Sequence, residues 1–265
     1  MVNKESCLML RKKVGKIMAG SNADKLFDKK YTCPVCDNNF TAKTVKTGKA
    51  RLVRSDMDLR NVYDDIEPLK YDVILCPKCG YGALTRFFPN VTSAQQKFIK
   101  DKITSNFKPL VENQDDYTYE QALTRYKIAF ANAVVKVAKV SEGAYLSLKT
   151  AWLYRSYQEN LDADVPEYEE KKTKLKKLEK ENLKKAYDMF VKAVQTEEFP
   201  MCGMDENTVD YIIAILAMEF GDYFDSSKLL SKLLTSYSAT SRLKDKARDA
   251  KEELSRRMKE DGVEA

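Results

Sequence analysis

A chain of 265 residues, 43% hydrophobic and 32% charged, is long enough for one or two domains with a core, and its charge content favours long exposed helices over a compact all-β body. The absence of histidine excludes serine–histidine and cysteine–histidine catalysis within the chain, and every zinc site that needs imidazole. The net charge of +6 is concentrated early: residues 1–30 hold 8 Lys/Arg against 3 Asp/Glu, whereas residues 91–265 hold 29 against 30.

Residues 1–30 read as a basic, partly flexible lead-in. Its apolar stretch Cys7-Leu8-Met9-Leu10 is too short for a signal-peptide core, and Lys4 and Arg11-Lys12-Lys13 flank it. No apolar run approaches the roughly 18–20 residues that a membrane span needs. The expectation is a cytoplasmic protein with reduced cysteines.

Residues 31–90 form a second unit. Phe40 to Val45 alternates with a β-branched bias, and Tyr71 to Leu75 runs into a cysteine pair, so both read as strands. The connection between them is dense in charge. Residues 91–265 are helical. Thr92-Ser93-Ala94-Gln95 is a capping box that opens a helix to about Phe107. A second helix runs from Tyr119 to about Val140, and a third, capped by Ser141-Glu142, to about Leu161. Pro166 suits the first turn of a fourth, very long helix to about Glu197. Its charge-dense beginning suggests that it projects beyond its neighbours. Three further helices are expected to end near Phe220, Ser236 and Glu260. The fold class is therefore α+β, mostly α.

Four cysteines fall in two pairs of one form, Cys33-Pro34-Val35-Cys36 and Cys76-Pro77-Lys78-Cys79-Gly80. Two cysteines separated by two residues in a tight turn direct both sulfurs at one ion, while turn N–H groups stabilise the thiolates. The residue after the second cysteine wants φ > 0, which Gly80 supplies and Asp37 tolerates. Two such knuckles make a tetrahedral four-thiolate site for one structural zinc. The pairs stand 39 residues apart, against roughly 15–20 in the ordinary spacing, so the module carries an insertion. Loop closure grows only logarithmically with length, so a distant pair still works. The alternative is a rubredoxin-like iron redox protein that transfers one electron, since the second pair is similar to the rubredoxin knuckle. Cys7 and Cys202 read as ordinary thiols.

Within the helices, Ala122, Tyr126 and Ala129 recur in spacing as Ala186, Phe190 and Ala193, and again as Ser226, Leu230 and Leu233. This small–large–small face resembles the second helix of tetratricopeptide repeats, although the copies stand 64 and then 40 residues apart, against a family period of about 34. The run Tyr31 to Cys36, then Arg51, Arg54, Asp56, Asp58 and Tyr63, then Pro68 and Tyr71 to Tyr81, ahead of such helices, resembles a bacterial family catalogued as domain of unknown function 2225. The resemblance spans about residues 28–240. It implies a zinc-ribbon-like head and a helical-repeat tail, and it carries no established activity. The stretch before about Asp24 departs from the family's short start.

Arg51, Arg54, Asp56, Asp58, Arg60 and Tyr63 form a polar cluster with two readings. They are salt-bridged strand and loop residues beside the metal, or they bind a partner segment. Three functions are weighed for the whole chain. The first is a non-catalytic zinc-binding adaptor whose helical surface takes a protein or peptide. The second is a zinc-ribbon regulator that binds nucleic acid, suggested by the basic first 90 residues. The third is an enzyme, for which only paired carboxylates such as Asp56 and Asp58 speak, with no phosphate-cradling loop or nucleophile elbow beside them.

Overall fold

The computed structural model describes residues 22–112 and 115–263; positions 1–21, which hold most of the lead-in and Cys7, lie outside the described residues. Among the described residues, six short strands form three separate two-stranded antiparallel ribbons. The first pairs β1 (Leu26–Thr32) with β2 (Asn39–Val45), Leu26 opposite Val45 and Thr32 opposite Asn39. The second pairs β3 (Leu52–Ser55) with β4 (Asn61–Tyr63), with an irregularity at Val53. The third pairs β5 (Val73–Leu75) with β6 (Gly82–Leu84). A short 3-10 turn, Pro68–Tyr71, links the second ribbon to the third.

Side-chain caps set several of the helix starts. In α1 (Ser93–Lys102) both bonds of the Thr92–Gln95 box are present. That helix stops five residues before Phe107, and a 3-10 turn, Thr104–Asn106, carries the chain on. A second box, Thr118–Gln121, opens α2 (Tyr119–Val135). This helix ends earlier than its periodicity suggests. Val137 enters the left-handed region at φ 51, Val137 N donates to Val134 O and Ala138 N to Ala133 O, which is a Schellman-type stop. Next comes α3 (Val140–Glu159). Ser141 lies inside its first turn and does not cap it; instead Glu197, at the far end of the next helix, accepts from Ser141 N at 3.1 Å. The long α4 (Tyr168–Thr196) starts two residues after Pro166. Asp205 caps α5 (Glu206–Glu219), α6 (Tyr223–Thr235) follows, and Thr240 caps α7 (Ser241–Glu260).

All nine positions of the small–large–small pattern are buried to 1% exposure or less. They sit where successive antiparallel helices meet. One buried cluster joins α3, α4 and α5 around Trp152, Phe190 and Ile212, and another joins α5, α6 and α7 around Tyr211, Leu230 and Ala247. A third cluster brings Val73 and Leu84 of the third ribbon onto α2, with Ala122, Tyr126 and Ala129. Full burial of a side chain such as Phe190 or Leu230 stabilises by about 1.5–3 kcal/mol, so these seams hold the stack together. The charge-dense first half of α4 does not project free of its neighbours. Leu175 is buried in the α2–α3 cluster, Leu178 packs on it, and Lys171 pairs with Glu120 at 3.4 Å. The apolar seam outweighs the flanking charges, which are left on the solvent side.

Candidate metal centre

Each cysteine pair forms the turn of a ribbon, and the two turns follow one backbone plan. In the β1–β2 turn, Cys33 N donates to Asn38 O at 2.9 Å and Asp37 N to Cys33 O at 2.9 Å. In the β5–β6 turn, Cys76 N donates to Tyr81 O at 2.8 Å and Gly80 N to Cys76 O at 3.1 Å. The residue after the second cysteine is left-handed in both, Asp37 at φ 55 and Gly80 at φ 73. Backbone N–H groups of Val35 and Cys36 point at the Cys33 sulfur, and those of Lys78 and Cys79 at the Cys76 sulfur.

The four sulfurs converge. All lie within 4.8 Å of one another, with Cys33 Sγ 3.5 Å from Cys79 Sγ and Cys36 Sγ 3.7 Å from Cys76 Sγ. A disulfide requires about 2.05 Å, so none is joined. Four ligands at about 2.3 Å around a tetrahedral ion place sulfurs about 3.8 Å apart, which these spacings fit. Cys33, Cys76 and Cys79 are buried and Cys36 is half-buried. The electrostatics fit a cation as well. Hydrogen bonds from Cys33 and then Cys79 pull the Cys76 thiol down. Hydrogen bonding to Cys76 pushes Cys33 up, and bonds with Cys33 and Cys76 push Cys79 up. Four sulfurs this close can ionise together only around a central cation.

The surroundings fix the quartet to the helices. Phe88 packs against Tyr81 with ring centroids 5.0 Å apart, and it contacts Tyr31 and Phe40 edge-on. Tyr81 Oη donates to Phe88 O at 3.1 Å. Thr104 Oγ1 donates to Cys79 O at 3.0 Å, and Asn132 Nδ2, buried on α2, donates to Gly80 O at 3.0 Å. Phe107 lies against Gly80 so closely that a Cβ there would stand 2.4 Å from its ring.

The charged cluster of the insertion lies against α3, away from the cysteines. Arg60 is 1% exposed; its Nε donates to Asp56 Oδ2 at 2.7 Å, and its Nη2 reaches both Glu159 oxygens, at 2.6 and 2.7 Å. Asp58, also buried, accepts from Trp152 Nε1 at 2.9 Å and pairs with Arg155 at 2.9 Å. Arg155 in turn pairs with Glu179 of α4 at 2.6 Å. Burial pushes Asp56 up, but Arg60, Arg155 and Arg54 outweigh it and hold its carboxyl below the usual range. Arg54 is exposed and reaches Asp56 at 3.2 Å and Glu159 at 3.4 Å; Arg51 is exposed and Tyr63 half-buried. Of the six sequence-selected residues, Asp56, Asp58 and Arg60 form an internal staple, and Arg51, Arg54 and Tyr63 lie further out. Cys202 is buried and bonds Ser141 O at 3.2 Å, with its thiol pushed up to about 11 by burial.

The family model described as "Uncharacterized protein conserved in bacteria (DUF2225)" matches residues 26–254, nearly the whole described chain. The chain belongs to this family. A relative within reach is an uncharacterized protein of Borreliella burgdorferi, 21% identical over 154 residues. That match covers 52% of this chain and 54% of the relative, so the chain spans about half the length of the curated relative it matches. No solved structure matches the chain. In this DUF2225 member, sequence reasoning missed the helix side of the staple: Trp152, Arg155 and Glu159. Their spacing on one face of α3 was the available signal, but nothing local paired that face with the insertion.

Proposed function

We propose that this chain is a non-catalytic, zinc-binding adaptor of the cytoplasm. One structural zinc on Cys33, Cys36, Cys76 and Cys79 fixes the head to a tetratricopeptide-like stack whose surface takes a protein or peptide. The observation that carries this reading is the closed sulfur quartet. Four protein ligands fill a tetrahedral sphere and leave no open position for a water or substrate, so the metal's role there is to hold structure. The alternation of small–large–small helices with their partners supports the helical-surface half of the reading.

Elemental analysis of the purified chain, with its visible spectrum, tests the metal. One zinc per colourless chain is expected; a red protein with one iron and a one-electron couple overturns zinc in favour of a rubredoxin-like site. Cross-linking in cells, read by mass spectrometry, tests the adaptor role. Reproducible cross-links from the helices to one partner protein are expected, and only intrachain links count against it. A nucleic-acid reading draws on the exposed lysines Lys78, Lys97, Lys100 and Lys102 near the second knuckle. Retention on heparin that falls steeply with salt would favour it.

A further inference from the structure

A cleft of about 480 Å³ lies between the ribbons of the head and the faces of α3 and α5. Strand edges contribute to its walls. Among the described residues β4 pairs only with β3, and β2 only with β1. Arg60 O accepts from Asp56 N, and Asp64 N donates to Arg51 O, so Arg60, Val62 and Asp64 turn their backbone groups toward β3. The two-residue period then directs the N–H and C=O groups of Asn61 and Tyr63 the other way, and both residues line the cleft. By the same count, Lys46 N donates inward to Lys25 O, so Val45 turns its groups outward, and Val45 also lines the cleft.

Leu69, Tyr145 and Met204, each partly buried over the Trp152–Ile212 core, supply apolar lining. The charges at the cleft are neutralised in pairs, Lys149 with Asp72 and Arg60 with Asp56 and Glu159. The Thr44 hydroxyl at the wall is shielded from solvent and has no hydrogen-bond partner. Beside the cleft, Leu59 at the turn of the β3–β4 hairpin already packs on the buried helix cluster.

Resting on the adaptor reading, we propose that this cleft binds an extended peptide segment of a protein partner, added as a strand to the free edge of β4, with alternate apolar side chains laid against Leu69, Tyr145 and Met204. Unpaired backbone donors and acceptors call for a backbone as their partner. Walls whose charges are already neutralised select uncharged side chains. The peptide continues the apolar track that Leu59 begins, and it supplies a polar group to Thr44.

Ten-residue peptides selected from a random display library on the full metal-loaded chain are the probe. The expected peptides alternate apolar residues. Methylating alternate backbone nitrogens weakens them at least about tenfold, the scale of one lost hydrogen bond. Thr44→Arg, which fills the cleft, is expected to weaken them similarly. So is Asn61→Pro, which removes an outward N–H without touching the β3 ladder. Metal content and helical circular dichroism confirm that each variant is folded; if Thr44→Arg fails that check, Asn61→Pro decides. Peptides that bind equally after backbone methylation and in the folded variants overturn the cleft while leaving the adaptor reading standing. A selection yielding no peptide above a polar-peptide background also overturns it. The adaptor reading itself falls only with the cross-linking result.

Discussion

Positions 37 and 80 occupy the same place in the two knuckles, yet the chain spends a glycine on only one of them. Both are left-handed. At Gly80 the Phe107 ring covers the Cβ side, so Gly80→Ala adds left-handed strain of about 1–2 kcal/mol to a displaced ring. A loss of about 2–3 kcal/mol is expected, read as a lower urea midpoint of the metal-loaded chain. Asp37→Gly should change stability by less than about 1 kcal/mol, because relief of strain offsets the extra backbone entropy of glycine. A Gly80→Ala midpoint equal to the parent's would show that Phe107 does not press on this turn. The other residue-scale consequence is acid sensitivity. The folded pKa of Asp56 lies below its unfolded value, so its stabilising contribution is complete above the ordinary carboxylate range and is lost as pH falls through the folded value. Asp56→Asn should flatten the acid limb of the stability–pH curve below about pH 4, and an unchanged limb would remove the staple's electrostatic role. The cysteine knuckles were legible because thiolate geometry dictates a local spacing. The partner of Arg60 was not, because Glu159 lies 99 positions away and no local rule connects them.

Among the elements, the joint between α2 and α3 shows where periodicity misleads. The apolar spacing of α2 runs on past Val135, but Val137 turns left-handed there, although it is β-branched and 76% exposed. A β-branched residue in that region is strained, so Val137→Gly should raise the thermal midpoint, by roughly 0.5–1 kcal/mol of stability once glycine's entropy is set against the strain. A lower midpoint would mean that the valine's packing outweighs its strain. The start of α3 has the converse feature. Its Ser141 N–H is satisfied by Glu197 from the end of α4, a tertiary cap that single-helix signals cannot reveal. The seam of α4 was readable from Leu175, Leu178, Ala186 and Phe190. That its charged half is docked was not, because the covering surface comes from α2 and α3. Helix existence followed from local pattern, while helix ends and neighbours followed from contacts between distant segments.

At the scale of the molecule, the head and the helical stack are joined by unlike materials. The aromatic and sulfur cluster of the head takes in Ile99 of α1, and the second knuckle hangs from α2 through Asn132. The clusters joining α3 to α7 contain no cysteine of the quartet. On the proposed metal site, removing the ion leaves buried sulfurs that repel when ionised, in a head whose ribbons are only two strands wide and marginal alone. Chelation of the purified chain should therefore unfold it in parts. Hydrogen exchange is expected to accelerate first in residues 31–42, 74–88 and 97–104, while residues 144–157 and 209–217 stay protected. The arginine staple sets the limit of this uncoupling, since Arg60 joins the insertion to α3 through ion pairs that involve no cysteine of the quartet. Arg60→Ala takes the buried cation from Asp56 and the 38%-exposed Glu159 and leaves the exposed Arg54 as the cation they share. A loss of about 2–3 kcal/mol is expected, below the fully buried range because of that exposure. In that variant chelation should also release β3 and β4. If exchange instead rises uniformly through α3 and α5 on chelation, the stack does not stand apart from the metal, and the sulfur quartet is a support for the whole chain.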